Sequence, residues 1–152
     1  MIDATLRAFL EQGLSLHVAT RDRDMRPVGA RALALRVDED RVHLTVYVAQ
    51  VAMERLLVSL DASRQVAVDI GRPEDDRACQ VKGIVEAVRP ARDDERALVV
   101  RQWEGLRDQL GSIGVARAST AQWATWPAMA IEVRVTAVFE QTPGPLAGTT
   151  LT

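Results

Sequence analysis

The stretch LSLHVATRDRDMRPVGARALALRVDEDRVHLTVYV, residues 14–48, decides the fold. Leu14, Leu16 and Val18 face one way and Ser15 and His17 the other, the period of two that marks a half-buried strand. Arg21-Asp22-Arg23-Asp24 makes a polar turn, and Pro27 opens a second strand that runs to Val37. Asp38-Glu39-Asp40 is another turn, after which Val42, Leu44, Val46 and Val48 alternate with His43, Thr45 and Tyr47. Strands joined by turns this short form an antiparallel meander, because a parallel pair needs a crossover of about a dozen residues. A parallel α/β architecture is therefore not expected.

Working outward, Asp3 is suited to cap a helix carrying Leu6, Phe9 and Leu10, with Gly13 as its stop. Downstream, Met53, Leu56, Leu57 and Leu60 fall at helical intervals within residues 51–60, and residues 65–70 return to strand spacing. Residues 71–77 form a solvated loop. A further strand covers 78–88, with Gly83 as a bulge and Arg89-Pro90 as its stop. Asp93-Asp94-Glu95 suits the positive start of a helix whose apolar stripe is Leu98, Val99, Trp103, Leu106 and Leu110, ended by Gly111 and Gly114. Met129, Ile131, Val133 and Val135 alternate in a last strand, and Pro143 to Gly148 cannot continue it. The expected fold is mostly β: a small antiparallel barrel with peripheral helices. It forms one domain over residues 1–152, of which 139–152 are a tail.

The composition excludes several functions. The chain has 152 residues and a formal charge of −2, from 19 basic and 21 acidic side chains, so no general electrostatic attraction to nucleic acid is expected. Its 47% hydrophobic content is that of a globular chain, and its length suffices to bury a core without disulfide or metal. Cys79 is the single cysteine, which leaves no pairing partner and no thiolate cluster. Met1-Ile2-Asp3 lacks the basic patch and apolar run of a secretory leader, and no stretch approaches the roughly 20 apolar residues of a membrane span. A cytoplasmic location is expected.

Few residues announce chemistry. There is no phosphate-binding glycine loop, no His-Glu-x-x-His and no Gly-x-Ser-x-Gly elbow. His17 and His43 stand on the polar sides of their strands, where a plain surface role is the default. Trp103 belongs to a helical core stripe. Trp123 and Trp126 precede Pro127 in an irregular segment, placed either to stack on a ligand ring or to pack an interface. Arg31 and Arg36 interrupt a strand otherwise made of Ala, Leu and Val. Five residues apart, they project to opposite faces unless a bulge intervenes. They are either solvent-facing or the two halves of an anion clamp, since guanidinium binds phosphate in two-pronged geometry.

At these residues the chain resembles the pyridoxamine 5′-phosphate oxidase-like split barrels. The strand at 14–20, the charged turn before Pro27, Arg31-Ala32-Leu33-Ala34-Leu35-Arg36, the strand at 42–47, the short helix, the strand at 65–70 and Cys79-Gln80-Val81-Lys82-Gly83 follow that family's plan. The likeness covers nearly the whole chain, although its motifs are loose. It implies a homodimer of six-stranded barrels with FMN held between the subunits, acting on a small-molecule substrate without nucleic acid or membrane.

The same resemblance implies site residues. In the oxidases an Arg-x-Val-Leu-Leu-Lys strand lies beside the cofactor, and Arg31, Leu33 and Arg36 fall on it, with Arg in place of the final Lys. The family's Thr-Asn pair falls on Val46 and Tyr47, and its Ser-x-Lys falls on Gln50-Val51-Ala52, so the phosphate-binding serine and lysine are absent. Gln80 resembles a flavin-contacting glutamine, with Lys82 in the same motif; aligning on Gly83 would place Ala78 there instead. A charged hydrogen bond contributes about 1.5–3 kcal/mol, so losing the lysine lowers phosphate affinity unless Arg36, Arg55 or the Gln50 amide compensates. The implied activity is hydride or electron transfer at the flavin, of oxidoreductase type. The residues that recognise pyridoxal phosphate have no counterpart here, so vitamin B6 synthesis is not expected. A deazaflavin in place of FMN, a cofactor-free interaction module, and a haem-binding relative using His17 or His43 are the alternatives.

Overall fold

The computed structural model describes residues 2–151. Helix α1 (Ala4–Leu10) starts at Asp3, whose carboxylate accepts the Leu6 N–H at 2.7 Å, and buries Leu6, Phe9 and Leu10. Gly13 follows this helix but does more than end it. A Cβ there would lie 2.5 Å from the Gln102 carbonyl oxygen and the Leu106 nitrogen, so a bare backbone is needed for close approach to a later helix.

The meander appears as expected. It comprises β1 (Ser15–Arg21), the second strand in two parts, β2 (Pro27–Ala32) and β3 (Ala34–Val37), and β4 (His43–Ala49). Helix α2 (Gln50–Ser63) begins one residue earlier than its apolar spacing suggests and directs Met53, Leu56 and Leu60 into the core. Strands β5 (Gln65–Gly71) and β6 (Ala78–Pro90) follow, and β6 carries Pro90 as its last paired residue, opposite Met129. The expected bulge lies between Lys82 and Gly83, where a Cβ on Gly83 would run into the Val133 side chain. A turn at Asp93–Glu95 leads into α3 (Arg96–Ser112), which passes through Gly111. Strand β7 (Ala128–Glu140) runs longer than its alternation suggests, so the tail starts at residue 141, and Thr150 folds back to bridge Phe139.

Among the described residues seven strands form one antiparallel sheet in the order β2-β1-β5-β6-β7-β4-β3. The two outermost strands are one stretch of chain divided only by Leu33, whose N–H donates to the Tyr47 carbonyl at 2.7 Å. One bent segment thus pairs with β1 before the break and β4 after it, which closes the sheet. The expected six strands and the observed seven differ by this division.

The break also changes parity. Ala32 and Leu35 point into the barrel core, whereas the consecutive Leu33 and Ala34 both join a second core outside it, beneath Val99, Trp103 and Leu106 of α3. Arg31 and Arg36 consequently share the outer face, despite their odd spacing. Past the break, the free edge of β3 is satisfied by side chains. Gln102 of α3 accepts the Leu35 N–H at 2.9 Å and donates to its carbonyl at 2.7 Å, and Glu11 accepts the Val37 N–H at 3.1 Å. No helix of the described residues is long and apolar enough to cross a membrane.

Candidate functional site

Arg31 stands out for partial burial without a charged partner among the described residues. It is half-buried on the outer face of β2, and partial desolvation draws its pKa below the ordinary guanidinium value without help from any neighbouring charge. Its side chain makes no hydrogen bond or ion pair among the described residues. Instead the guanidinium lies 4.4 Å from the ring centroid of Trp123. Arg31, Leu33, Ala49, Val51, Ala52, Trp123 and Ala124 line a cavity of about 310 Å³.

The start of α2 forms one wall of this cavity. Its N-cap is Ala49, which has no side chain able to cap, and the Gln50 N–H donates to the Pro127 carbonyl at 2.9 Å. The next amides, of Val51 and Ala52, belong to the first turn, whose N–H groups have no partner within the helix. A half-buried cation with free donors, set beside an uncapped helix N-terminus, is suited to an anion. Leu33, Ala49, Val51 and Ala52 add apolar contact for whatever carries the charge.

Strand register extends the site sideways. Arg31 pairs with His17, His17 with Asp69, Asp69 with Gln80, and Gln80 with Phe139, so these five residues form one row across the outer face. The adjacent row is Gly29, Ala19, Ala67, Lys82 and Ala137, a shallow strip interrupted by one cation. Lys82 lies 4.9 Å from the Phe139 ring and lines a groove of about 430 Å³ floored by Ala19 and Ala67. His17 reaches solvent, yet partial desolvation and then the Arg31 charge lower its pKa, while Asp69 raises it. The neutral imidazole is therefore favoured.

Not all residues marked by the family likeness gather here. Arg31 and Leu33 share the cavity. Gln50 is exposed at its rim, in a neighbouring groove of about 460 Å³ with Met53, Leu57 and Met129. Gln80 and Lys82 lie on the same outer face but on β6, three strands from β2 in the sheet, Gln80 in Arg31's row and Lys82 in the adjacent one. Val46 lies inside the barrel core. Arg36 and Tyr47 turn to a different centre, the carboxylate of Glu95, which receives the Tyr47 hydroxyl at 3.0 Å, Arg36 at 3.4 Å and Arg89 through two bonds of 2.8 Å. That centre holds Arg36 in ion pairs with Glu95 and Asp38, and its geometry is that of a structural hub. Arg55 is exposed on α2.

The remaining candidates separate clearly. Both ring nitrogens of His43 are engaged, Nδ1 at 2.5 Å from Asp40 and Nε2 at 3.4 Å from Glu86, and the Asp40 hydrogen bond raises its pKa. Cys79 is buried, and that burial pushes its thiol up to about 12. Trp103 is in the α3 core, and the Trp126 ring lies 5.5 Å from the Arg96 guanidinium. Sequence reasoning missed Glu95 and Gln102 as organisers. Glu95 read as a helix-start acid, and an isolated glutamine on a helix carries no signal of its target.

Comparison with known proteins gives this architecture a context. No protein-family model matches the sequence, and no curated protein matches it. Solved structures do. An F420 reductase aligns with a TM-score of 0.55 at 21% identity, over 87% of this chain and 94% of the other. A candidate pyridoxamine 5′-phosphate oxidase from Lactobacillus delbrueckii aligns at 0.56 and 15% identity, over 90% and 92%. The heme storage protein HutZ from Vibrio cholerae aligns at 0.50 and 16% identity, over 91% and 94%. At these identities the likeness is one of fold: the chain has the split-barrel fold of the pyridoxamine 5′-phosphate oxidase-like proteins.

Proposed function

We propose that this chain binds a flavin nucleotide, FMN or a deazaflavin, at the Arg31 cavity between two copies of the chain, and serves as an oxidoreductase for a small substrate. The observation that carries this reading is the half-buried guanidinium of Arg31, whose N–H groups have no hydrogen-bond or ion-pair partner among the described residues, beside the uncapped start of α2. These donors fit a phosphate monoester: Arg31 offers a two-pronged edge, and the Val51 and Ala52 amides replace part of what a Ser-x-Lys motif would supply. Leu33, Ala49 and Ala52 would exclude water from the remainder of the nucleotide, and Gln80 and Lys82 offer polar contacts farther along the outer face. The F420 reductase and candidate oxidase among the structural neighbours support the ligand class. A bound flavin supplies the acceptance and donation of hydride or electrons, so the protein's part is to position and to tune charge.

Replacing Arg31 by Ala should weaken FMN binding about tenfold or more, followed by flavin fluorescence, while circular dichroism stays unchanged. Equal affinity of the two proteins would remove Arg31 from the site. A second reading, haem, draws on the neighbour HutZ and on His17, a neutral-favoured imidazole next to Arg31; His43 is already committed on both nitrogens. Absorbance of the purified protein separates the two. A flavin spectrum supports the proposal, a Soret band supports haem, and a colourless chain that stays colourless with added FMN supports a cofactor-free module.

A further inference from the structure

We propose that Trp123 is a positioning residue for the anion site, holding the Arg31 guanidinium by its face so that its edge remains open to a phosphate. The inference rests on the flavin-nucleotide reading above and adds a residue to it. Its physical basis is the division of labour within a guanidinium. Stacking on an aromatic ring uses the flat face, whereas hydrogen bonding to an anion uses the in-plane N–H groups. A carboxylate partner would restrain Arg31 equally well but would occupy those donors, as Glu95 does for Arg89. Trp123 restrains the cation and leaves its donors free.

The restraint is anchored in the fold. The Trp123 ring, 38% exposed, lies 5.3 Å from the ring of Trp103, which is 5% exposed in the core of α3. Contacts therefore run from α3 through Trp123 to Arg31. The segment bearing Trp123 is tied at both ends: buried Thr120 accepts from Arg107 at 2.9 Å, and the Pro127 carbonyl accepts the Gln50 N–H. One segment thus holds both the guanidinium and the first amide of α2, the two sources of positive potential at the cavity. With its ring against Arg31 and Trp103, Trp123 acts through Arg31 rather than as a free platform for a ligand ring.

The test compares FMN with riboflavin, which carries the same ring system without the phosphate. Trp123→Ala should weaken FMN binding roughly three- to thirtyfold, the range of a partly desolvated cation–π contact. Riboflavin affinity should stay within about twofold, because the positioning acts on the phosphate alone. Trp123→Phe keeps a ring and should restore FMN binding to within about threefold of the parent. The ratio of the two affinities within a single variant is insensitive to a partly misfolded fraction, since that fraction binds neither ligand. FMN affinity unchanged in Trp123→Ala, or an equal loss for both ligands, overturns this proposal alone. Failure of the parent chain to bind FMN overturns it together with the proposed function.

Discussion

Replacing Glu95 by Gln should destabilise the protein by about 3 kcal/mol, and the structure explains why. Glu95 is 4% exposed and accepts from Arg89 twice at 2.8 Å, from the Arg92 backbone at 2.8 Å and from Tyr47 at 3.0 Å; Arg36 and the Arg92 side chain complete the shell. Chiefly through Arg89, these partners hold the carboxyl at about 2 against burial, which alone would raise it from the ordinary 4.5. That preference for the charged form corresponds to about 3 kcal/mol, near the lower end of the cost of unpairing a buried ion. The arginines are partly solvated, which argues against a larger value. Urea unfolding followed by circular dichroism measures the loss, and the melting temperature should fall by about 6–12 °C. Acid supplies the signature. Because the folded pKa is depressed, this stabilisation is present above about pH 4.5 and disappears as pH falls toward 2, so the parent should lose it over that window and the variant should not. A variant within about 1 kcal/mol of the parent, or one with the same acid dependence, would refute the hub.

Further outcomes follow from other residues. Arg36→Ala should lower stability while leaving FMN affinity within about twofold, opposite to Arg31→Ala, since Arg36 is tied to Glu95 and Asp38; a tenfold loss of FMN binding would return it to the site. Gly13→Ala should cost about 1–3 kcal/mol in urea unfolding, because its Cβ meets the backbone of α3 rather than a movable side chain. A neutral effect would mean that α1 and α3 separate easily. Cys79, with its thiol pushed up to about 12 by burial, should resist a thiol reagent at mildly alkaline pH until denaturant is added. Rapid labelling of the native protein would contradict that burial.

Much of the architecture was legible because the relevant signals are local. Alternation at residues 14–20 and 42–48 marked strands whose inward members, Leu16, Val18, Leu44 and Val46, are core residues. Asp3 marked a helix start because the capping bond spans three residues, and Gly83 marked a bulge that does need glycine. The candidate site was only partly legible. The likeness pointed to Arg31 and Leu33, which share a cavity, and to Arg36 and Tyr47, which converge elsewhere on Glu95. Nothing in the pattern Arg31-Ala32-Leu33-Ala34-Leu35-Arg36 distinguishes an arginine held by a tryptophan from one held by a glutamate, because both partners lie in distant segments.

By itself the amino-acid order determined the helices, the strands and their inward faces, since hydrophobic period and turn chemistry act over a few residues. Only the tertiary structure decided that one strand would bend at Leu33 and close the sheet with both its halves, turning Arg31 and Arg36 outward together. It also decided which cation would be paired and which left open. Glu95 reaches Arg36 across 59 positions and Trp123 reaches Arg31 across 92, and at such separations the partner is chosen by how sheet and helices pack.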